Sequence, residues 1–123
     1  MARILLAEDD NSVRHFLARS LELAGHEVLA FADGEDALPV LTAGPFDILI
    51  SDIVMPRMGG LELAMKAKEI TPGLPVIYIT GFAAVSVEEA DGGEGINQLL
   101  SKPFHLNSLV DAVDRALQAK AAS

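Results

Sequence analysis

The rhythm of its apolar residues constrains this chain most. Short apolar runs, several of them unbroken, alternate with longer segments of helical period. The runs are Ile4–Ala7, Val28–Phe31, Ile48–Ile50, Val76–Ile79 and Ile96–Leu100, and unbroken apolar stretches of this length are what strands covered on both faces require. Between them, Ser12–Ala24 carries Val13, Phe16, Leu17, Leu21 and Leu23/Ala24 at helical spacing, and Leu61–Ile70 carries Leu61, Ala64, Met65 and Lys68. Leu106–Ala119 is amphipathic, with Leu109, Val110, Val113 and Leu117 on one face. Gly25, Gly44 and Gly73 punctuate helix ends, and Pro45, Pro72 and Pro75 stop helices ahead of strands. Five βα units with short links predict an α/β fold, a doubly wound parallel five-stranded sheet with helices on both faces.

Composition narrows the function classes. At 123 residues the chain is about one domain, expected to occupy 1–119 with a short tail over 120–123. It is 50% hydrophobic and 22% charged, the balance of a folded globular chain. A net charge of −9 with nine scattered Lys and Arg argues against nucleic acid as a partner, because that surface needs clustered cations. The absence of cysteine excludes disulfides, thiolate metal sites and cysteine nucleophiles. The apolar run in "MARILLAEDD" is too short for a signal peptide or a membrane span. The expectation is a cytoplasmic protein with no membrane partner.

In doubly wound sheets, ligands sit outside the carboxyl ends of the strands. Glu8, Asp9 and Asp10 follow the first predicted strand, Asp52 the third, Thr80 the fourth and Lys102 the fifth. Each has an ordinary explanation alone, since acids cap helices, Thr-Gly makes turns and Lys-Pro fits a solvated loop. Together they place acids, a hydroxyl and an amine along one edge of one sheet, which separate accidents do not explain. His15, His26 and His105 have no carboxylate or histidine at ligand spacing and receive no metal role.

"ILLAEDDNSVR", "ISDIVMPRMGGLEL", "VIYITGF" and "LLSKPFHLNSL" resemble the acidic-pair, phosphoacceptor, hydroxyl and Lys-Pro-Phe segments of the receiver domain of two-component response regulators. The resemblance spans essentially the whole chain and implies the flavodoxin/CheY-like fold. Carried over, it makes Asp52 the phosphoacceptor, Thr80 the switch hydroxyl and Lys102 the phosphate-facing amine. Three consecutive acids leave the acidic pair ambiguous; the run that follows favours Glu8 and Asp9, with Asp10 capping the helix together with Asn11 or Ser12. Clustered carboxylates with open positions suit Mg²⁺, with Asp9, Asp52 and the Val54 backbone carbonyl expected to coordinate directly and Glu8 through water. In the family the bond before Pro103 is cis, which would aim Lys102.

The resemblance implies a phosphorelay signalling protein, not an enzyme beyond its own phosphorylation and dephosphorylation. Its donor would be a histidine kinase or histidine phosphotransferase. A protein output partner would meet a switch surface that includes Phe82, Leu99, Pro103 and His105, as a monomer or a weak phosphorylation-linked dimer. Leu99 stands where the family usually places an aromatic switch residue. Gly59 replaces a frequent Asp or Asn, and Pro39 should bend or shorten the second helix. "GFAAVSVEEADGGEG" leaves room for only a short helix around Ala84–Ala90. "ITGFAAVSV" and "LLSKPFHLNSLV" look most like the CpdR-type single-domain regulators of alphaproteobacteria, which act as phosphorylation-gated adaptors for a Clp protease. A complete single-domain regulator is favoured over an excised receiver of a larger regulator or hybrid kinase.

Readings from other classes fit less well. A Mg²⁺-dependent phosphatase with an aspartyl nucleophile wants a second Asp two residues on, where Val54 stands. A flavodoxin-like cofactor binder wants a Ser/Thr/Gly phosphate loop where three acids stand. A pure interaction protein leaves the strand-end residues unexplained.

Overall fold

A computed structural model describes residues 2–55, 57–80, 98–101 and 106–122. Five strands, β1 (Arg3–Ala7), β2 (Glu27–Phe31), β3 (Ile48–Asp52), β4 (Val76–Thr80) and β5 (Gln98–Ser101), form one sheet in the order β2-β1-β3-β4-β5. All four pairings are parallel. The described helices are α1 (Asn11–Leu23), α2 (Gly34–Leu41), α3 (Gly60–Ile70) and α4 (Leu106–Ala122). The predicted doubly wound parallel sheet is therefore observed. The short helix expected around Ala84–Ala90 lies outside the described residues, and no described helix is long and apolar enough to cross a membrane.

The unbroken apolar runs have the cause expected of them. Side chains alternate across a strand, so Leu5, Leu49, Val76 and Tyr78 enter one layer with Ala37 and Leu41 of α2 and Leu63, Ala64 and Ala67 of α3. Ile4, Leu6, Ile48, Ile50, Ile77 and Ile79 enter the other, with Leu17 and Leu21 of α1 and Leu109, Ala112, Val113 and Ala116 of α4. Every residue of β3 and β4 is buried, because these central strands are covered twice.

The helical stripes differ from the sequence reading in phase. In α1 the buried residues are Leu17, Ser20 and Leu21, whereas Phe16 and Leu23 are 53% and 76% exposed. In α3 the buried set is Gly60, Leu63, Ala64 and Ala67, at i, i+3, i+4 and i+7, and Leu61 and Met65 fall beside it in solvent. Pro39 shortens α2 as expected: the helix ends two residues later, and the Thr42 hydroxyl donates to the Pro39 carbonyl at 2.7 Å. The last helix continues to Ala122, three residues past the expected end, through residues of high helix propensity.

Candidate functional site

The chain direction reverses its path across the sheet between β1 and β3. β1 pairs with β2 on one side and β3 on the other, and ligand sites of doubly wound sheets form at such a switch point. Ala7 pairs with Ser51, so the acids that follow β1 come beside Asp52, the last residue of β3. Asp52 pairs in turn with Ile79, which leaves Thr80 one residue further along the same edge.

At the end of β1, Glu8 is fully buried, and its backbone N–H donates to the Phe31 carbonyl at 3.0 Å. Its carboxylate Oε2 accepts from the Asp10 N–H at 3.1 Å, and Arg14 Nη1 donates to its backbone carbonyl at 2.8 Å. Arg14 also bonds the Asn11 side chain. Asp10 is the N-cap of α1, its Oδ1 accepting from the Val13 N–H at 3.0 Å. The three consecutive acids thus divide: Asp10 holds the helix, while Glu8 and Asp9 accompany Asp52.

One carboxylate oxygen from each of Glu8, Asp9 and Asp52 lies within 4.8 Å of the others. Asp9 is exposed, and Asp52 is 7% exposed. Asp52 Oδ1 accepts from the Val54 N–H at 3.3 Å. Three carboxylates held this closely repel one another unless a cation or protons intervene. An all-oxygen donor set is hard, and the spacing fits one Mg²⁺-sized ion with a carboxylate reached through water. Thr80 is fully buried at the end of β4. Val54 is on the rim, 56% exposed.

The glycine pair of "RMGG" is explained by what lies against it. A Cβ on Gly60 would stand 2.1 Å from the Asp52 carbonyl oxygen and 2.9 Å from Ser51 Oγ, and one on Gly59 would stand 2.8 Å from the Ile53 carbonyl oxygen. The first turn of α3 therefore rests directly on the strand end that carries Asp52. Two bonds tie that end in place, from the Ile53 N–H to the Ile79 carbonyl and from the Gly60 N–H to the Ile53 carbonyl, both at 2.9 Å.

Lys102, Pro103, His105 and Phe82 lie outside the described residues, as does the side chain of Leu99, whose backbone pairs with Tyr78 in the sheet. His26 has a structural role: its Nδ1 accepts from the Ala2 N–H at 3.1 Å. Sequence reasoning passed over Arg14, Asp33 and Arg57. The Asp at the start of "DGEDA" was a visible cap signal. The partners of the two arginines were visible only in three dimensions.

The comparisons with known proteins agree with this geometry. The family model "Response regulator receiver domain" matches residues 4–114. The response regulator receiver protein CpdR of Brucella abortus is 49% identical over 119 residues, covering 97% of this chain and 99% of that one. The response regulator protein FleR of Pseudomonas aeruginosa is 40% identical over 93% of this chain, which spans 24% of FleR. Among solved structures, the response regulator protein TrrA of Thermotoga maritima, in complex with Mg²⁺ and BeF, superimposes with a TM-score of 0.81 at 28% identity, covering 95% of this chain and 100% of that one. With the parallel sheet, the acidic switch-point site and a family match over nearly its whole length, the chain belongs to the response regulator receiver family, to which CpdR also belongs.

Proposed function

We propose that this protein is a cytoplasmic single-domain response regulator that accepts a phosphoryl group on Asp52 from a phosphohistidine donor, with Mg²⁺ as its cofactor. The observation that carries the reading is the close grouping of Glu8, Asp9 and Asp52 at the switch point, with Thr80 buried at the adjacent strand end. Asp9, Asp52 and the Val54 carbonyl would hold the ion directly and Glu8 would hold it through water. When bound, it would lower the repulsion between the Asp52 carboxylate and an anionic phosphoryl group.

An Asp52 carboxylate oxygen forms the new bond to phosphorus as the P–N bond of the donor breaks, and the electron pair leaves with the imidazole nitrogen, which takes a proton. The short tethers at Ile53 and Gly60 keep the nucleophile from moving with the loop that follows it. Lys102, which follows β5 in the sequence, would supply a point charge for a phosphoryl oxygen. The Thr80 hydroxyl donates to another and passes the change to the switch surface around Phe82, Leu99, Pro103 and His105. The donor is a histidine kinase or phosphotransferase. The output is a protein, and the 49% identity to CpdR along the chain favours a phosphorylation-gated adaptor for a Clp protease.

The test is phosphorylation by a small phosphodonor with and without Mg²⁺, read by intact mass. The wild type should gain one phosphoryl group only with Mg²⁺, and Asp52→Asn and Asp9→Asn should gain none. Phosphorylation of Asp9→Asn at the normal rate would overturn the site assignment. Retention of a Clp protease by only one phosphorylation state, compared with the Asp52→Asn variant, tests the output.

A further inference from the structure

Arg57 has a geometry that the site as described leaves unexplained. Among the described residues it is the only non-glycine with a positive φ, 63°, a left-handed conformation in which a β-carbon crowds the backbone. A glycine would be the ordinary occupant. The guanidinium accounts for the arginine. Its Nε donates to Asp33 Oδ2 at 3.1 Å and its Nη2 donates to the same oxygen. Nη2 also donates to Asp36 Oδ2 at 3.2 Å, and Nη1 lies 3.2 Å from Glu35 Oε2.

Asp33 is no ordinary surface partner. It is 4% exposed, and its second oxygen caps α2 by accepting from the Asp36 N–H at 3.0 Å. Its bond from Arg57, and then the Asp36 amide, hold its carboxyl below the usual aspartate range against the opposing effect of burial. A backbone bond runs beside the ion pairs, from the Gly34 N–H to the Met58 carbonyl at 3.2 Å. A Cβ on Gly34 would come within 2.9 Å of that carbonyl oxygen, so α2 and the loop are in close contact. The loop from β3 to α3 is thus anchored at Ile53 on the sheet and at Arg57 and Met58 on α2. Val54 stands between the anchors.

We propose that Arg57 is a positioning residue: by clamping the β3–α3 loop to the N-terminus of α2 through Asp33, Glu35 and Asp36, it sets the Val54 carbonyl for the divalent cation. The inference rests on the Mg²⁺-dependent phosphoacceptor reading. It makes the start of α2, which supplies no ligand, part of the support of the metal site.

Isothermal titration of Mg²⁺ into the wild type, Arg57→Ala, Arg57→Gly, Asp33→Asn and the Arg57→Ala/Asp33→Asn double variant tests it, with thermal unfolding measured in parallel. Arg57→Gly removes the clamp while relieving the left-handed backbone, and Asp33→Asn keeps a cap acceptor while removing the charge. Both arginine variants should bind Mg²⁺ about 10-fold more weakly, the scale of losing a group that orients a metal ligand. The double variant should lose no more than Arg57→Ala alone, because both changes break one clamp. Phosphorylation should slow at limiting Mg²⁺ and recover at saturation. Wild-type affinity in Arg57→Gly, whatever its melting temperature, would reduce Arg57 to a structural residue and overturn the proposal. A wild type that binds no Mg²⁺ would instead overturn the site reading, and the positioning role with it.

Discussion

Single residues at this site are chosen by contact more than by conformation. Gly59 has an extended backbone that any residue can adopt, φ −79° and ψ 174°, and as the N-cap of α3 it makes no side-chain cap bond. Asn is a preferred residue at that position, yet it would improve on glycine by only a few tenths of a kcal/mol, while its Cβ would meet the Ile53 carbonyl at 2.8 Å. Gly59→Asn should therefore lower stability by about 1 kcal/mol, on the overpacking scale. Gly60→Ala should be worse, about 3 kcal/mol, because a Cβ 2.1 Å from the Asp52 carbonyl forces the backbone to move. Urea midpoints of the two variants check the order, and Gly60→Ala should also slow phosphorylation by shifting Asp52. The second residue-scale prediction concerns pH. The folded-state pKa of Asp33 is lowered, so its charge contributes fully above the unfolded-state value of about 3.9 and is lost as pH falls through the lowered folded value. The stability gap between wild type and Asp33→Asn should stay constant from neutral pH down to about pH 5 and shrink below about pH 4, as acid-unfolding curves would show.

At the scale of elements, the sequence identified helices more reliably than the faces they bury. "NSVRHFLARSLEL" offers an apolar residue at almost every turn, and the local pattern does not say which of Val13, Phe16, Leu17, Leu21 and Leu23 meets the sheet. The packing selects Leu17 and Leu21. Phe16→Gln and Leu23→Gln should accordingly change stability by less than about 0.5 kcal/mol, whereas Leu21→Ala should cost about 2–5 kcal/mol; chemical denaturation separates the two classes. Pro39 is exposed inside α2. Replacing it with alanine restores an N–H and removes a clash worth about 3 kcal/mol, offset by about 1 kcal/mol of added freedom in the unfolded chain. Pro39→Ala should raise stability by about 2 kcal/mol and increase helicity, read by thermal unfolding followed at 222 nm. β3 and β4 were legible because they lie between two helical layers, and up to Ile50 and Ile79 their sequences are unbroken apolar runs that carry the signature of that burial.

At the scale of the whole molecule, folding creates the acidic site, so the site should feed back on folding. Bringing Glu8, Asp9 and Asp52 together works against the fold when no cation is present and favours it when one binds. Mg²⁺ at 100 times its dissociation constant should stabilise the wild type by about 2.7 kcal/mol. Asp9→Asn should be as stable as wild type or more so without Mg²⁺, and gain little from it, in parallel denaturation series. A wild type insensitive to Mg²⁺ would contradict the linkage. By itself the sequence determined the order of the strands and of the described helices, the parallel class, and the placement of Glu8, Asp9, Asp52 and Thr80 at strand ends. These follow from periodicities and boundaries a few residues long, set by burial on both faces of a sheet. Only the tertiary structure decided the phase of α1 and α3 and the pairing of Arg57 with Asp33. Each depends on which distant segments touch once the chain crosses from β2 over β1 to β3, and no local pattern encodes a contact between residues that only that crossing brings together.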